Sequence, residues 1–527
     1  MAINRALSTA AVAAFLAFGI GPATAETTIK LIPQADLKIF DPIWTTAAIS
    51  INHGYMVYDT LFAMDSKLQP KPQMVESFTS SPDGLKHTFT LRSGLKFHDG
   101  SPVTAKDVVV SLNRWGKRIV DGKAMFERTA SLVATGDRTL ELTLKDPFGP
   151  LFDVLANPVQ PAVIMREKDA LTDPNQQVME SIGSGPFVFL KDEWKPGDKV
   201  FYRKNADYAA RSDASDGFAG AKVVKVDRVE WDYIPDPNTA TQALLKGEVD
   251  AYEIPPVDLL PLLKKDPNIV VRVLNKPGVH GMIRPNALYP PFKDTRARQA
   301  LALAIDQKQY LAAMVGNDSE YGRECYAVFQ CGSPNETTVG SEPYQKRNIE
   351  RAKQLMKEAG YDGRPIVVMD PTDQQIIHNI AIMTAQSLKD IGVNVDLQAM
   401  DWASLTSRRA NKDKPGSGSQ GWDIFTTWSS SIIMQSPITN FAMVATCDGN
   451  NWYGWACDDE LEKRRKDYVS AQKPEERKKA IEGLQVRYYE IMPFVITGQF
   501  QSPVAYRKNL VGIPDALLLE LWNVEKK

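Results

Sequence analysis

The sequence has few of the residues that carry out chemistry. Its 527 residues include only 5 histidines, which stand far apart as His53, His87, His98, His280 and His378. The chain also lacks the motifs that mark phosphate-binding loops, HExxH zinc proteases and GxSxG hydrolases. We therefore predict neither catalytic residues nor a metal site. A secreted hydrolase stays as an alternative, because a catalytic triad is assembled in space rather than along the chain.

The chain has no excess of basic residues. Its 62 Lys and Arg residues stand against 64 Asp and Glu residues, for a formal net charge of -2 at pH 7. Nucleic acids and anionic membranes attract basic patches, so neither is a predicted partner. Hydrophobic residues make up 43% of the chain, which is ordinary for a soluble globular protein. At this length we expect more than one lobe.

Long hydrophobic runs are also missing after the N-terminus. Arg5 precedes a small-to-apolar run over residues 6–20, and Ala23-Thr24-Ala25 forms an A-x-A cleavage site before Glu26. We therefore predict a cleaved signal peptide over residues 1–25 and a soluble protein in the periplasm. No cysteine follows the cleavage point, so a lipoprotein anchor is not expected.

Cysteine is scarce, with 4 residues in two close pairs. Three pairings are possible in principle. We predict the two local disulfides, Cys325 with Cys331 and Cys447 with Cys457, in keeping with an oxidising compartment. The alternative is zinc ligation, which the spacings disfavour because they are not C-x2-C and no histidine lies nearby.

Residues 75–115 carry the strongest local pattern. After a turn at residues 81–84, His87, Phe89 and Leu91 alternate with more polar residues, which is the period of a half-buried strand. Thr104 and Asp107 then predict a capping box at the start of a helix that runs to Arg118. From these residues alone we expect a small α+β module.

Further along, the order of elements predicts a partly parallel sheet. A strand over residues 366–369, a helix over 376–391 and a strand over 393–397 form a βαβ-like unit. We also predict helices over residues 49–61, 458–471 and 474–491, and strands near residues 495 and 504 that cross back to the first lobe.

Four segments together resemble one known family. They are residues 75–115, the GSGPF, EWKPGD and RKNADY order over 183–208, the strand–helix–GEVD unit over 226–252, and the PF-D-x-R-x-R-Q-A-L pattern over 291–301. These sequence motifs are similar to those of the extracytoplasmic dipeptide-, oligopeptide- and nickel-binding proteins that feed ABC importers. The second cysteine loop also resembles a disulfide-closed loop of dipeptide-binding relatives.

The resemblance implies an α/β fold of two lobes with a hinge. Lobe I would span residues 26–280 and carry an extra α+β subdomain at about 76–182, lobe II would span 281–495, and residues 496–527 would return to lobe I. The implied function is capture of a peptide or peptide-like solute and its delivery to a membrane permease with ATPase subunits. We expect a monomer that needs no cofactor and is not an enzyme.

The resemblance also implies residues that contact the ligand. Trp402 would line the pocket, with Arg409 meeting a ligand carboxylate through bidentate hydrogen bonds. The further candidates are Trp44, Thr46, Asn286, Trp428, Ser429 and Ser431. Independently of the resemblance, Met282 and Arg284 fall on one side of an extended segment, and Trp452 is an aromatic on the second cysteine loop that could stack on a ligand.

Ser431 is the departure from the family pattern. Relatives have an Asp three residues after the Trp that matches Trp428, and that Asp pairs with the free amine of a peptide. A neutral Ser431 cannot supply this charge. Either another acid such as Asp423 or Asp448 replaces it, or the ligand is an opine, a modified amino acid or a sugar-like solute.

Overall fold

The structure is a computed structural model that describes residues 26–317, 320–416, 420–471 and 473–527. The predicted signal peptide, residues 1–25, lies outside the described residues. The strands are β1 (Thr28–Ile32), β2 (Phe62–Met64), β3 (Pro70–Pro72), β4 (Val75–Ser80), β5 (Lys86–Leu91), β6 (Thr129–Ala134), β7 (Thr139–Leu144), β8 (Phe187–Phe189), β9 (Lys199–Lys204), β10 (Arg228–Asp232), β11 (Ala251–Tyr252), β12 (Ile269–Arg272), β13 (Val279–Pro285), β14 (Gly322–Arg323), β15 (Ile366–Pro371), β16 (Val395–Met400), β17 (Ile424–Ser430), β18 (Val495–Phe500), β19 (Val504–Arg507), β20 (Leu510–Val511) and β21 (Glu525–Lys526).

The α-helices alternate with these strands. They are α1 (Ala48–Val57), α2 (Ala105–Arg118), α3 (Val120–Arg128), α4 (Leu151–Leu155), α5 (Glu167–Ala170), α6 (Pro237–Lys246), α7 (Leu260–Lys265), α8 (Thr295–Ala304), α9 (Gln307–Val315), α10 (Ile349–Glu358), α11 (Gln375–Asp390), α12 (Trp402–Arg408), α13 (Ser431–Met434), α14 (Asp459–Ser470) and α15 (Pro474–Ile491).

Lobe I is built on a mixed sheet with the strand order β12-β19-β11-β1-β10-β9-β8. The strand β1 lies between β10 and β11 and runs parallel to both. The carboxyl ends of these three strands therefore meet at one edge of the sheet. In such sheets that edge is where ligands usually bind.

The predicted α+β subdomain contains a separate antiparallel sheet, β4-β5-β7-β6, covered by α2. His87, Phe89 and Leu91 of β5 are buried, as their alternation predicted. At the start of α2, Asp107 N–H donates to Thr104 Oγ1 while Thr104 N–H donates to the Asp107 carboxylate, so the predicted capping box is confirmed.

Lobe II is built on the sheet β14-β18-β13-β17-β15-β16. The strands β15 and β16 are parallel and are connected by α11, which confirms the βαβ prediction. The strand β18 pairs along β13 in this sheet, so the prediction that the strand near Val495 crosses back to lobe I was wrong. The strand that returns is β19, which pairs with β11 and β12.

The chain passes between the two large sheets at two short connections, residues 273–278 and 501–503. They lie side by side, because Gln499 donates through Nε2 to the Pro277 carbonyl at 3.1 Å and the Gln501 side chain donates to the Lys276 carbonyl. Gly278 has φ +73°, and a Cβ there would lie 2.4 Å from the Phe500 carbonyl oxygen. Only glycine permits this close approach of the two connections.

Both local disulfides are present, Cys325–Cys331 and Cys447–Cys457, as predicted. The second one closes a loop that holds Trp452, Tyr453 and Trp455, and we call residues 447–457 the disulfide loop. Among the described residues, no helix is long and apolar enough to cross a membrane.

Candidate functional site

A chain of cavities separates the two lobes. The central cavity has a volume of about 120 Å³ and is lined from lobe I by Thr46, Ile51 and Glu253, and from lobe II by Trp428, Ser429 and Ser430, among others. A second cavity of about 620 Å³ runs from Trp44 to the disulfide loop. A third of about 310 Å³ lies towards the 501–503 connection. Thr46 lines the first two cavities and Trp428 lines the first and third, so the three form one cleft.

Polar contacts hold the cleft shut on both sides. Lys38 of lobe I forms an ion pair with Asp401 of lobe II at 2.8 Å, and the Tyr233 hydroxyl donates to Asp373 at 2.9 Å. Near the disulfide loop, Lys123 Nζ donates to the Asn450 carbonyl at 2.7 Å. The structure is therefore a closed form, in which the lobes touch around the cavities.

Arg409 is a buried cation that faces the other lobe. It follows α12 directly and is only 1% exposed. Its Nη2 donates to Thr46 Oγ1 at 3.2 Å, its Nε has no hydrogen-bond partner, and no described carboxylate pairs with it. Desolvation lowers the pKa of its guanidinium. Arg409 is not among the residues that line these three cavities, but its partner Thr46 lines two of them, so lobe opening would uncover the guanidinium.

Aromatic rings surround this guanidinium. Its carbon Cζ lies 4.7 Å from the ring centroid of Tyr453, 5.7 Å from those of Trp402 and Phe425, and 6.0 Å from that of Trp452. Ring faces stabilise a cation without neutralising it. The arrangement can therefore hold a positive charge that is still free to meet an anion.

Arg284 differs from Arg409 in its hydrogen bonds. It is 0% exposed, and it donates to the backbone carbonyls of Tyr453 (2.6 Å), Ala442 (2.8 Å), Pro493 (3.1 Å) and Trp452 (3.4 Å). Burial lowers its pKa to about 9. Gly454, at φ +97°, leaves room for it, since a Cβ there would lie 2.5 Å from Arg284 Nε. The structure thus places Arg284 as a brace for the disulfide loop rather than at the cleft.

Three other sequence candidates also lie away from the cavities. Met282 is fully buried in β13, and Asn286 is held by main-chain contacts with Trp422, Asp423 and Leu288. Ser431 is fully buried and its Oγ lies 3.3 Å from His280 Nδ1. Burial lowers the pKa of His280 to about 3, so this imidazole is neutral. The departure from the family pattern at Ser431 therefore concerns a position that the cleft does not reach.

The remaining candidates come together around the cleft. Those that line a cavity are Trp44, Thr46, Trp428, Ser429 and Trp452. Trp402 does not line these three cavities, but its ring packs beside the Arg409 guanidinium. The two acids that we considered as replacements for the family Asp also differ in position, because one is buried away from the cavities and the other lines one. Asp423 is 1% exposed and bound by Arg364 at 2.6 Å, whereas Asp448 lines the second cavity.

Sequence reasoning missed Glu253, which lines the central cavity directly after β11. Its Oε2 accepts from Gln34 N–H and its Oε1 from Asn52 Nδ2, both at 2.8 Å. The signal was present in the chain: Gln34 follows β1 and Glu253 follows β11, and residues that follow parallel neighbours meet at one edge. Using it required knowing that β1 and β11 are neighbours.

Glu253 makes the stability of the empty protein depend on pH. Burial raises the pKa of its carboxyl from 4.5 to about 6, against hydrogen bonds from Gln34 and Asn52 that lower it. Because the folded-state pKa is the higher one, this contribution is complete below pH 4.5 and is lost as the pH rises through about 6. We expect the loss to be about 1 kcal/mol, since solvent reaches part of the carboxyl.

Urea unfolding at about pH 5 and about pH 8 measures this effect. The free energy of unfolding of Glu253→Gln should fall less between these pH values than that of the wild type. Glu248→Gln, an exposed glutamate five residues earlier, is the control and should behave as wild type. Equal pH dependence in all three proteins would contradict the shifted pKa.

Comparison with known proteins identifies the family. The family model for bacterial extracellular solute-binding proteins, family 5 Middle, matches residues 69–451. The chain belongs to this family. Family 5 proteins are the solute-binding components of ABC importers and not enzymes, so the chain works with a membrane permease and ATPase subunits. The family and the two-lobed α/β fold that the four sequence segments predicted are both confirmed.

Individual relatives cover nearly the whole chain. The probable peptide ABC transporter periplasmic-binding protein y4tO of Sinorhizobium fredii (strain NBRC 101917 / NGR234) is 40% identical over 507 residues, or 95% of this chain and 94% of the relative.

Two solved structures share the fold. AgaA from A. tumefaciens R10, in complex with agropinic acid, has a TM-score of 0.78 at 22% identity and covers 95% of this chain and 99% of its own. AppA from Bacillus subtilis, in complex with a nonapeptide, has a TM-score of 0.75 at 23% identity and covers 92% and 95%.

Proposed function

We propose that the chain captures a short peptide or peptide-like solute with a carboxylate group that pairs with Arg409. The observation that carries this proposal is the burial of Arg409 without a carboxylate partner among the described residues. A buried, unpaired charge is unfavourable, and it is retained where a ligand supplies the opposite charge. The y4tO relative, named as a probable peptide transporter component, supports peptide as the ligand class.

The walls of the cleft suggest how such a ligand is held. Trp44 and Trp452 would pack against apolar parts of the ligand in the second cavity, and Thr46 would be displaced from Arg409 by the carboxylate. Trp428 and Ser429 would contact the part in the central cavity. A central cavity of about 120 Å³ is of the size that holds one small organic group.

One observation favours a second candidate, an anionic non-peptide solute such as an opine. Four cationic side chains line the second cavity against two anionic ones: they are Lys117, Arg118, Lys123 and Lys412 against Asp173 and Asp448. The fold also occurs in AgaA, which binds agropinic acid. An opine would place additional carboxylates among these cations.

We further propose that residues 1–25 are a cleaved export signal, that the mature protein is a periplasmic monomer without a lipid anchor, and that its lobes divide close to the 273–278 and 501–503 connections. The A-x-A site before Glu26 and the extracellular character of the family support export.

Native mass spectrometry of the protein, purified from the periplasm without denaturation, tests these proposals. The chain mass should equal that of residues 26–527 with two disulfides, in a monomeric charge series. A ladder of bound masses that fit peptides supports the first candidate, and one defined non-peptide mass supports the second. A bound solute without a carboxylate would contradict the role of Arg409.

A further inference from the structure

Glu253 is a carboxylate in the cleft that has no cationic partner among the described residues. The main chain of Gln34 and the amide of Asn52 donate one hydrogen bond to each of its oxygens, which fixes the orientation of the carboxyl group. Each oxygen of a carboxylate can accept a second hydrogen bond. The group is therefore held in place by neutral donors, and its remaining acceptor capacity lies at the wall of the central cavity.

The opposite wall of the central cavity carries polar atoms without partners. Ser429 and Ser430 line it from lobe II and are 4% and 6% exposed, and neither Oγ has a hydrogen-bond partner in the structure. Buried hydroxyl groups nearly always form hydrogen bonds. Two such hydroxyls across a small cavity from a carboxylate make a site for a polar group of a ligand.

Apolar side chains complete this cavity, so the polar group would arrive on an apolar body. They include Ile51 and Val159 from lobe I and Ile433 and Phe441 from lobe II. Away from water, a carboxylate favours a cationic donor over a neutral one, because the charge-assisted hydrogen bond is about twice as strong. The chemistry of the cavity therefore selects an ammonium group.

Three other acids near the cleft lie outside the central cavity and have partners of their own. Asp423 is paired with Arg364, and Asp373 accepts from the Tyr233 hydroxyl and from Trp402 N–H. Asp448 accepts from Thr446 Oγ1 and from Asn450 N–H within the disulfide loop. Among the described residues that line the central cavity, Glu253 is the acidic one.

We propose that Glu253 binds the cationic group of a zwitterionic ligand whose carboxylate pairs with Arg409. This inference rests on the proposed function and deepens it by naming the class of ligand. Thr46 lines the central cavity and contacts Arg409, so one ligand can reach both charged groups through the cavity. Each lobe then supplies one charge, Glu253 from lobe I and Arg409 from lobe II, so a zwitterion would bridge the lobes.

A matched set of three peptide mixtures tests the proposal. A mixture of di- and tripeptides is prepared free, N-acetylated and C-amidated, and each form is titrated into ligand-stripped protein while thermal unfolding is followed. The free mixture should stabilise the wild type, and the N-acetylated one should bind at least about 10-fold more weakly, because acetylation removes the ammonium charge. This comparison needs no variant.

Two variants locate the effect. Glu253→Gln should bind the free and acetylated mixtures equally, at the level at which the wild type binds the acetylated one. Asp448→Asn, which removes an acid from the wall of the second cavity, should keep the wild-type preference.

Each contrary result has a separate meaning. Equal binding of free and acetylated mixtures by the wild type, a preference that survives in Glu253→Gln, or one that is lost in Asp448→Asn would overturn the role of Glu253. Equal binding of free and C-amidated mixtures would overturn the carboxylate part of the proposed function instead. If no mixture stabilises the wild type, the peptide proposal and the inference both fall.

Discussion

Replacement of Arg409 by methionine is expected to weaken ligand binding strongly while leaving the empty protein at least as stable as the wild type. The guanidinium is 1% exposed, its Nε is unpaired, and no described carboxylate balances its charge. Removing an uncompensated buried charge in favour of an apolar side chain of similar length is usually neutral or stabilising. The four surrounding rings would pack against the methionine side chain, whose sulfur contacts aromatic rings favourably.

The loss of affinity should be large. Truncating one partner of a buried charge pair costs about 3 kcal/mol, which corresponds to about 150-fold in Kd. The measurement is titration calorimetry with the solute that co-purifies with the wild type, together with urea unfolding of the ligand-free proteins. Arg408→Gln is the control, because the adjacent arginine donates to Gln398, Gln420 and Gly421 outside the cleft and should leave the affinity unchanged. Tight binding by Arg409→Met would remove Arg409 from the site.

Replacement of Arg284 by methionine should have the opposite effect on stability. This side chain donates to four backbone carbonyls of lobe II, and without it those carbonyls would be buried and unsatisfied. Hydrogen bonds to a charged group contribute about 1.5–3 kcal/mol each, and a buried carbonyl left without a partner is costly. Allowing for relaxation, we expect the free energy of unfolding to fall by about 4 kcal/mol.

The disulfide loop would loosen as a result. Trp452 lies between the two arginines, 5.0 Å from Arg284 Cζ and 6.0 Å from Arg409 Cζ, measured to its ring centroid. We therefore expect the affinity to fall only because the disulfide loop is held less firmly. Adding ligand should recover part of the lost free energy of unfolding. Urea unfolding with and without the co-purified solute measures both effects. Arg296→Met, at an exposed arginine of α8, is the control. A variant with wild-type stability but no binding would instead make Arg284 a ligand contact.

Local patterns predicted the elements that depend on neighbours in sequence. The capping box of Thr104 and Asp107 and the alternation in β5 need only adjacent residues, and both are in the structure. The helix predicted over residues 49–61 ends earlier, at Val57. There Gly185 N–H donates to the Val57 carbonyl at 2.8 Å, and a Cβ at Gly183 would lie 2.1 Å from the same oxygen. A segment more than 120 residues away thus ends α1, and no local pattern could show it.

The residues of the candidate site also differed in how far the sequence could predict them. Arg409 was predicted from its spacing after Trp402, which matches the family, whereas Arg284 was chosen from an extended segment without knowledge of which face of β13 the cleft uses. The disulfide loop covers that face, and Arg284 donates to carbonyls of this loop and to those of Ala442 and Pro493. Glu253 was missed because its importance depends on the neighbours of β11 in the sheet. The chemistry of single residues could be predicted, but the face on which each residue lies could not.

The paired connections at 273–278 and 501–503 determine how the lobes can move. Because Gln499 and Gln501 tie the two connections together, a twist or slide of one lobe against the other would have to break both contacts. We therefore expect the lobes to move mainly by rotation about the line of the connections, as in hinge motions of other two-lobed proteins. Closing would always bring the same rim residues into register. A permease could therefore distinguish loaded from empty protein by one angle, whatever solute the cleft holds.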